Sequence, residues 1–334
     1  FVRFCELENL GQKPLQLEML DGLQNILPAG TPRFIQSNSS NLVDAYKWTE
    51  LDDSGLAMYA LYSAITDRAE PCESLKANTV FCLGLEGARV LLSSAQLDDF
   101  RLGKTLTAEK QKRGVRGAYL VNHQFELPAQ SSLSWQMVAN LEQSQSQIVD
   151  LRKQLKNQQV LAENLTRSID QGSDKLARIM AASDGFQMTA EPGVSLHHYA
   201  NVLFNVLRGG IFDDQYTVDT QDLASTIRHF NRPIYWAHED FLQALPDKIN
   251  IVDLLRQVRS LNEPGLLRLC YEYLPITFGR RHGDPSRPWN QFAIRLKDEN
   301  GDPLLSYEGN WRDIFQNWEA LAFSYPGFVE NIIA

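Results

Sequence analysis

The sequence predicts a multidomain protein of mixed α and β class, with an N-terminal antiparallel β-sandwich, a helical linker and then an array of helices. Two observations support this order. Apolar residues alternate with a period of two as far as about residue 135, and after that point they recur at helical spacing. The length of 334 residues also favours more than one domain.

Residues 1–135 are predicted to form the sandwich. Short runs rich in Val, Leu, Phe and Tyr lie between breaks that contain Gly and Pro, such as DDSG and DGLQNILPAGTP. The predicted strands are VRFCEL, PLQLEML, AMYALYSAI, NTVFCLGL, ARVLLSS and GAYLVNHQFEL. Several short strands between turn signals are typical of an antiparallel sandwich.

Residues 136–190 are predicted to form the helical linker. Gln, Lys and Arg separate apolar side chains that recur at helical spacing, namely Val138, Leu141, Ile148, Leu151, Leu155 and Leu161. This pattern indicates one or two amphipathic helices.

Residues 191–334 are predicted to continue as helices, in runs such as HHYANVLFNVLRGG, TQDLASTIRHF, IVDLLRQVRSL and GLLRLCYEYLP. A single β-hairpin is predicted near 292–308, because Asn300 and Gly301 lie between two alternating runs. A last helix is predicted in NWRDIFQNWEALAF, ending at the Tyr-Pro pair that follows.

The composition is that of a globular protein, with 43% hydrophobic and 22% charged residues. The formal net charge of −9 argues against partners that need a basic surface, such as nucleic acid or an anionic membrane. No apolar run reaches the roughly 18 residues of a membrane-spanning helix. Zinc and disulfide frameworks are not predicted, because no C-x-x-C pair occurs among Cys5, Cys72, Cys82 and Cys270. We therefore expect a cytoplasmic protein.

Motifs of several enzyme classes are missing. The sequence contains no G-x-S-x-G, no G-x-x-x-x-G-K-[ST] and no G-x-G-x-x-G between strand and helix, which argues against serine hydrolases, P-loop NTPases and Rossmann enzymes. His197 and His198 are adjacent, so on a helix they point about 100° apart and cannot bind one metal ion from the same face. We expect capping or packing roles for them, the alternative being one histidine in a site near the helix start. No metal or cofactor is predicted.

Positive charge is concentrated in FGRRHGDPSRPWNQF, residues 278–292, called the basic loop below. Around Asp284 it carries Arg280, Arg281, His282, Arg287 and Trp289. Guanidinium groups bind oxyanions through paired, charge-assisted hydrogen bonds, so the three arginines and the histidine are a candidate phosphate site. In the alternative interpretation the arginines pair with Asp284, Glu272 or other nearby carboxylates and only fasten the loop.

A second candidate site lies in the run EGNWRDIFQNWEAL. If 311–323 is a helix, Arg312, Asp313 and Gln316 share one edge of it. The other side would then carry Trp311, Phe315, Trp318 and Ala322. The polar row suits sugar hydroxyls, and Trp311 or Trp289 can stack on a sugar ring. The alternative is that the aromatic residues belong to the core and that Arg312 and Gln316 form a surface pair.

Three longer runs contain these residues: HHYANVLFNVLRGGIF, EYLPITFGRRHGDPSRPWNQF and YEGNWRDIFQNWEALAFSYPGF. The chain resembles the cellobiose-phosphorylase-like family of inverting glycoside phosphorylases and its long bacterial relatives. The resemblance lies in these three runs and in the order of sandwich, linker and helical array. The resemblance implies that 191–334 form the first part of an (α/α)6 barrel. It also implies an enzyme that cleaves a glycosidic bond with phosphate, as co-substrate, to give a sugar 1-phosphate.

The family binds sugar through an Arg-Asp pair followed shortly by Gln-Asp. Arg312, Asp313 and Gln316 match this string, whereas Asn317 replaces its final Asp and accepts hydrogen bonds less strongly. The family's catalytic Asp comes later in the barrel, so we expect it beyond Ala334, with Asp313 as the candidate within the chain. Two alternatives stay open: a water-using glycoside hydrolase of the same architecture, and a non-catalytic glycan-binding or scaffold region.

The ends of the sequence favour a piece of a longer protein. Phe1 begins a strand-like run, and the chain stops at Ala334 in FVENIIA without a helix stop signal. The expected partners are then an oligosaccharide or other glycan, phosphate, the remaining domains of the longer chain and a second copy in a homodimer.

Overall fold

The structure is a computed structural model. The residues that it describes are 1–31, 33–63, 65, 75–206, 211–212, 214–276, 279–280, 294–295 and 314–334. The chain divides into two compact units, Phe1–Ser168 and Ile169–Ala334, called the sheet unit and the helical unit below.

The sheet unit contains nine strands and four short helices among its described residues, and a longer helix that starts in it. The strands are β1 (Val2–Glu8), β2 (Leu15–Ile26), β3 (Lys47–Leu51), β4 (Ala57–Leu61), β5 (Lys76–Leu83), β6 (Arg89–Leu91), β7 (Gln111–Arg113), β8 (Gly117–Leu127) and β9 (Ser132–Ser144). The helices are α1 (Arg33–Asn38), α2 (Ser40–Tyr46), α3 (Leu97–Arg101), α4 (Gln145–Gln154) and α5 (Gln158–Ala182).

The strands form two antiparallel sheets, one ordered β1-β9-β5-β4-β3-β7 and the other β2-β8-β6. One buried cluster takes Tyr59 and Met137 from the first sheet and Tyr119 and Val121 from the second. The two sheets therefore pack face to face, which confirms the antiparallel sheets predicted for this part. A second cluster, with Phe81 and Leu151, packs α4 and the start of α5 on the outer face of the larger sheet.

The prediction that helix begins at residue 136 is wrong. Residues 132–144 are β9, which pairs with β1 on one side and β5 on the other. Met137 faces the core between the sheets, while Val138 faces the cluster under α4, so apolar residues occur on both sides of this strand. A strand buried on both faces loses its clean alternation, and its pattern then resembles a helix. The helix starts at Gln145, after a capping box formed by Ser144 and Gln147.

The helical unit consists mainly of helices, with two short ladders among its described residues. Its elements are α6 (Pro192–Phe204), β10 (Thr217–Asp219), α7 (Thr220–Phe230), α8 (Arg232–Ala237), α9 (Glu239–Gln243), β11 (Lys248–Asn250), α10 (Ile251–Ser260), α11 (Pro264–Glu272), β12 (Gly279–Arg280), β13 (Ile294–Arg295), α12 (Ile314–Ser324), a 3-10 turn (Pro326–Phe328) and α13 (Val329–Ile333). The helices predicted from TQDLASTIRHF, IVDLLRQVRSL and GLLRLCYEYLP are confirmed as α7, α10 and α11.

The core of the helical unit gathers fully buried residues from α7, α10 and α11, such as Ile227, Leu254 and Leu266. Phe328 stacks on Phe212 within the same cluster, with ring centroids 4.1 Å apart. These contacts bring the helices around one apolar centre. The (α/α)6 barrel stays a prediction, as does the division at residues 135 and 190.

The predicted hairpin near 292–308 lies mostly outside the described residues, including Asn300 and Gly301. Its described part, β13, pairs with β12, in the register Gly279 with Arg295 and Arg280 with Ile294. The chain therefore leaves this ladder after Arg280 and returns to it at Ile294. No helix among the described residues is both long enough and apolar enough to cross a membrane.

Candidate functional site

Most of the site residues predicted from the sequence lie outside the described part of the chain. These are Arg281, His282, Arg287, Trp289, Trp311, Arg312 and Asp313. The backbone of Arg280 lies in β12 and that of Gln316 in α12, but their side chains are outside the description. Their assignments therefore stay predictions. Trp318, in contrast, is only 7% exposed and packs in the core of the helical unit, which confirms the core interpretation for this aromatic residue.

The histidine pair is placed by the structure. His198 is buried, with its Nε2 atom 2.8 Å from the backbone oxygen of Asp184 and 3.3 Å from Oγ of Ser324. This confirms a packing role for His198, within α6 and not at its start. His197 is exposed and lies 3.7 Å from a carboxylate oxygen of Glu319. Within the part of the chain that the structure describes, no group of three His, Cys, Asp or Glu side chains could hold a metal ion.

A groove in the helical unit lies where α7, α8 and α9 meet. It consists of two adjoining cavities of about 410 Å³ each, which share Ser225 and Arg228. The first, called the polar compartment, is lined by Thr220, Gln221, Ala224, Ser225, Arg228, Tyr235, Leu242, Gln243, Leu245 and Asp247. The second, called the basic compartment, is lined by Ser225, Arg228, His229, Arg232 and Trp236. Together they are called the α7–α8 groove.

The sequence of α7 explains how one wall of this groove forms. Oδ1 of Asp219 accepts a hydrogen bond of 2.9 Å from the backbone N–H of Asp222 and so caps the start of the helix. Leu223 and Ile227 are buried in the core. Helical spacing then places Gln221, Ser225 and Arg228 on the exposed side, as a row along the groove.

The turn between α7 and α8 forms the basic end of the groove. Asn231 ends α7, and its Oδ1 atom accepts a 3.2 Å hydrogen bond from the backbone N–H of Ile234, which caps α8. Arg232 and Trp236 are four residues apart and so lie on the same side of α8. The indole of Trp236 is 61% exposed.

The two arginines that line the groove differ in their pairing from Arg256 and Arg268 of the same unit. Among the described residues, neither Arg228 nor Arg232 forms an ion pair. The Cζ atom of Arg228 lies 5.7 Å from the ring centroid of Tyr235, within cation–π range. Elsewhere in the helical unit, Arg256 and Arg268 each lie 2.7 Å from a carboxylate oxygen of their own helix.

The carboxylate of Glu239, beside the Tyr235 ring, accepts hydrogen bonds from neutral donors. The hydroxyl of Tyr235 and the side-chain amide of Gln243 each donate a hydrogen bond of 3.2 Å to Oε1 of Glu239. Desolvation, and then the hydrogen bond and charge of Glu239, raise the pKa of Tyr235, against the opposing charge of Arg228. Tyr235 therefore stays a neutral hydrogen-bonding group in the polar compartment.

The two compartments differ in what they can bind. Unpaired guanidinium groups bind an oxyanion through charge-assisted hydrogen bonds, and an exposed indole offers a flat apolar face. Amides, hydroxyls and the carboxylate of Asp247 line the polar compartment and can exchange hydrogen bonds with neutral hydroxyl groups. The sequence analysis did not single out this site. The available signal was the run RHFNRPIYW, where two arginines, a histidine and a tryptophan occur within one short stretch.

Residues 212–275 match the family model described as glycoside hydrolase family 149 insertion domain 1. This segment contains α7 to α11, and all lining residues of the α7–α8 groove lie within it. The match supports a relationship to carbohydrate-active enzymes of the glycoside hydrolase and phosphorylase kind. A comparison of the chain with curated protein sequences finds no match.

Proposed function

We propose that the protein acts on an oligosaccharide as an inverting glycoside phosphorylase, using inorganic phosphate to release a sugar 1-phosphate. The match of residues 212–275 to an insertion domain of a glycoside hydrolase family is the observation that carries this proposal. The resemblance of the whole layout to the cellobiose-phosphorylase-like enzymes supports phosphate, rather than water, as the nucleophile.

The proposed chemistry assigns roles to the residues of the two predicted sites. In such an enzyme a carboxylic acid protonates the glycosidic oxygen while phosphate attacks the opposite face of the anomeric carbon. The side chains proposed to hold sugar hydroxyls are Arg312, Asp313 and Gln316, with Trp311 or Trp289 against the ring. The side chains proposed to hold phosphate are Arg280, Arg281, His282 and Arg287.

A phosphate-dependence experiment tests the proposal. The full-length protein is incubated with a panel of oligosaccharides, with and without inorganic phosphate, and both sugar 1-phosphate and free reducing sugar are measured. Sugar 1-phosphate should form only when phosphate is present. The variant Arg312→Gln should lower kcat/KM by about tenfold or more, because it removes charge-assisted hydrogen bonds to the sugar, whereas Arg268→Gln should leave it unchanged.

A second candidate is a hydrolase of the same architecture, which the description of the matched family as a glycoside hydrolase favours. In that case free sugar appears at the same rate without phosphate, and no sugar 1-phosphate forms. Isothermal titration with phosphate and with oligosaccharides adds a binding readout. If the folded full-length protein bound neither, both candidates would be wrong.

A further inference from the structure

We propose that the α7–α8 groove is a binding site for a phosphorylated sugar, separate from the two sites predicted from the sequence. The phosphate would lie in the basic compartment, and the sugar would extend toward the polar compartment. The inference deepens the proposed function and rests on it for one point, which is the choice of a sugar 1-phosphate as the ligand to test. The groove itself, its charges and its shape carry the rest.

The phosphate group would bind to the positive charge that collects in the basic compartment. Arg228 and His229 come from the last turn of α7, and Arg232 from the first turn of α8, so the short turn at Asn231 brings three nitrogen-rich side chains to one cavity. All three are exposed, and a protein of net charge −9 has many carboxylates that could have paired with them. Guanidinium groups without a carboxylate partner, lining a cavity, are suited to an exogenous oxyanion.

The sugar would contact Trp236 and the polar compartment. The indole is 61% exposed at the wall of the basic compartment, where it offers an apolar face to the C–H side of a sugar ring. Beyond Arg228, the amides of Gln221 and Gln243 and the hydroxyl of Ser225 supply donors and acceptors for sugar hydroxyls.

Charge along the groove gives the ligand one orientation. Asp247 lines the far side of the polar compartment, and its backbone oxygen accepts hydrogen bonds from the N–H and the hydroxyl of Thr220, which fixes its position at the start of α7. A phosphate placed there would be repelled by this carboxylate, whereas neutral hydroxyls can donate to it. The phosphate is therefore directed to the Arg228 and Arg232 end.

The size of the groove favours a small molecule. Each compartment has a volume of about 410 Å³, within the range that small-ligand sites usually have. A neutral oligosaccharide of this size would leave two guanidinium groups without an anion. A phosphorylated sugar uses both compartments.

The test is isothermal titration of the full-length protein with glucose 1-phosphate, inorganic phosphate and glucose, in which the number of sites is fitted so that binding at the proposed catalytic site is counted separately from binding at the groove. The double variant Arg228→Gln/Arg232→Gln removes both guanidinium groups, and Arg256→Gln/Arg268→Gln is its matched control with the same change in net charge. Glucose 1-phosphate should bind more tightly than either other probe. The groove variant should weaken this binding by about tenfold or more, and the control by less than about twofold.

Two further variants separate the parts of the site. Trp236→Ala should weaken glucose 1-phosphate but not inorganic phosphate, because only the sugar contacts the ring. Arg228→Lys/Arg232→Lys keeps the charge and should retain part of the affinity, which separates lost binding from misfolding; thermal unfolding of every variant is the accompanying check.

The results also distinguish this inference from the proposed function. Binding of glucose 1-phosphate that is lost in the groove variant supports the inference even if no oligosaccharide is cleaved, an outcome that would overturn only the proposed function. The inference is overturned if glucose 1-phosphate does not bind, if its affinity is the same in the groove variant, or if glucose binds as tightly. Phosphorolysis that continues unchanged alongside any of these results leaves the proposed function standing.

Discussion

The sheet unit and the helical unit place their charged side chains differently. In the sheet unit, Glu109 is 7% exposed and Lys47 is 4% exposed, and each is paired, at 3.0 Å with Lys112 and at 2.6 Å with Asp44. In the helical unit, no Asp, Glu, Lys or Arg among the described residues is buried. Two charged side chains of the first unit are thus part of its packed interior, whereas the described charges of the second all lie at or near the surface.

The cavities of the two units show the same difference. One cavity of the sheet unit is lined by Asp52, Arg152 and Lys153, but Arg152 lies 2.7 Å from Asp52 and Lys153 lies 2.8 Å from Asp150. Two of its three cations are therefore paired, whereas the third, Lys156, forms no ion pair with a described residue. In the basic compartment of the helical unit, Arg228 and Arg232 form no ion pair with any residue that the structure describes. The two cavities thus differ in degree: most cations of the first are paired within the fold, and both arginines of the second are the groups on which the proposed binding site rests.

The largest expected effect on stability lies in the core of the sheet unit. Phe81 is 1% exposed and packs between the larger sheet and α4, so Phe81→Ala leaves a cavity there. It should lower the free energy of unfolding by about 3–5 kcal/mol. Chemical denaturation measures this loss. Phe34→Ala removes a ring that is 72% exposed and is the control, with an expected change below about 0.5 kcal/mol. A loss below about 1 kcal/mol for Phe81→Ala would contradict this packing.

The second effect tests the buried charge directly. Burial alone would raise the pKa of Glu109, but hydrogen bonds from Gln96, Lys112, the backbone N–H of Leu92 and Ser93 outweigh it and lower the pKa below its usual value of 4.5. A lowered carboxyl pKa stabilises the folded state above the unfolded-state pKa, and this contribution is lost as pH falls through the folded-state pKa. Glu109→Gln should therefore cost about 1–3 kcal/mol at pH 7, because it weakens several buried hydrogen bonds.

The pH dependence makes this prediction specific. The difference in unfolding free energy between the wild type and Glu109→Gln should shrink as the pH is lowered below about 4.5, since the wild type then loses the same carboxylate. Glu50→Gln, at an exposed position of β3, is the matched control and should change the unfolding free energy at pH 7 by less than about 0.5 kcal/mol. An equal cost at pH 3 and pH 7 would exclude a stabilising role for the charge of Glu109.

These contrasts also explain how much the sequence could predict. The helices α7, α10 and α11 follow from their apolar spacing, and the antiparallel sheets from short alternating runs. The strand from 136 to 144 did not follow, because pairing with β1 and β5 and burial on both faces are long-range effects. The capping box of Ser144 and Gln147 was a local signal that marks the true start of α4.

The groove could not be predicted from periodicity alone. Arg228 and Arg232 lie four residues apart, a spacing that one continuous helix would place on one face. The structure assigns them to different helices, and their convergence depends on the turn at Asn231. Whether a cation has a carboxylate partner is likewise a property of the packed fold. For the basic loop and for the Arg312 site, the sequence remains the source of the hypothesis.

A third prediction concerns that turn. Asn231→Ala removes the side-chain cap of α8 and should cost about 1 kcal/mol of unfolding free energy, as capping residues usually do. It should also weaken glucose 1-phosphate binding, since Arg232 and Trp236 lie on the uncapped helix. Asn231→Ser keeps a capping oxygen and should restore most of both. Thermal unfolding and titration calorimetry give the two readouts, and full affinity in Asn231→Ala would show that the cap does not position the groove.

The smallest expected effect on stability is the one that separates the two uses of charge most cleanly. Arg256 pairs with Asp253 at 2.7 Å on the exposed side of α10, whereas Arg228 has no carboxylate partner among the described residues. Exposed pairs and exposed cations contribute little to folding, so Arg256→Gln and Arg228→Gln should each change the unfolding free energy by less than about 0.5–1 kcal/mol. Binding should distinguish them, because only Arg228→Gln removes a group that faces the groove. If both variants kept the same affinity for glucose 1-phosphate, the unpaired charge of Arg228 would not contribute to binding. The contrast between the two units would then concern folding alone.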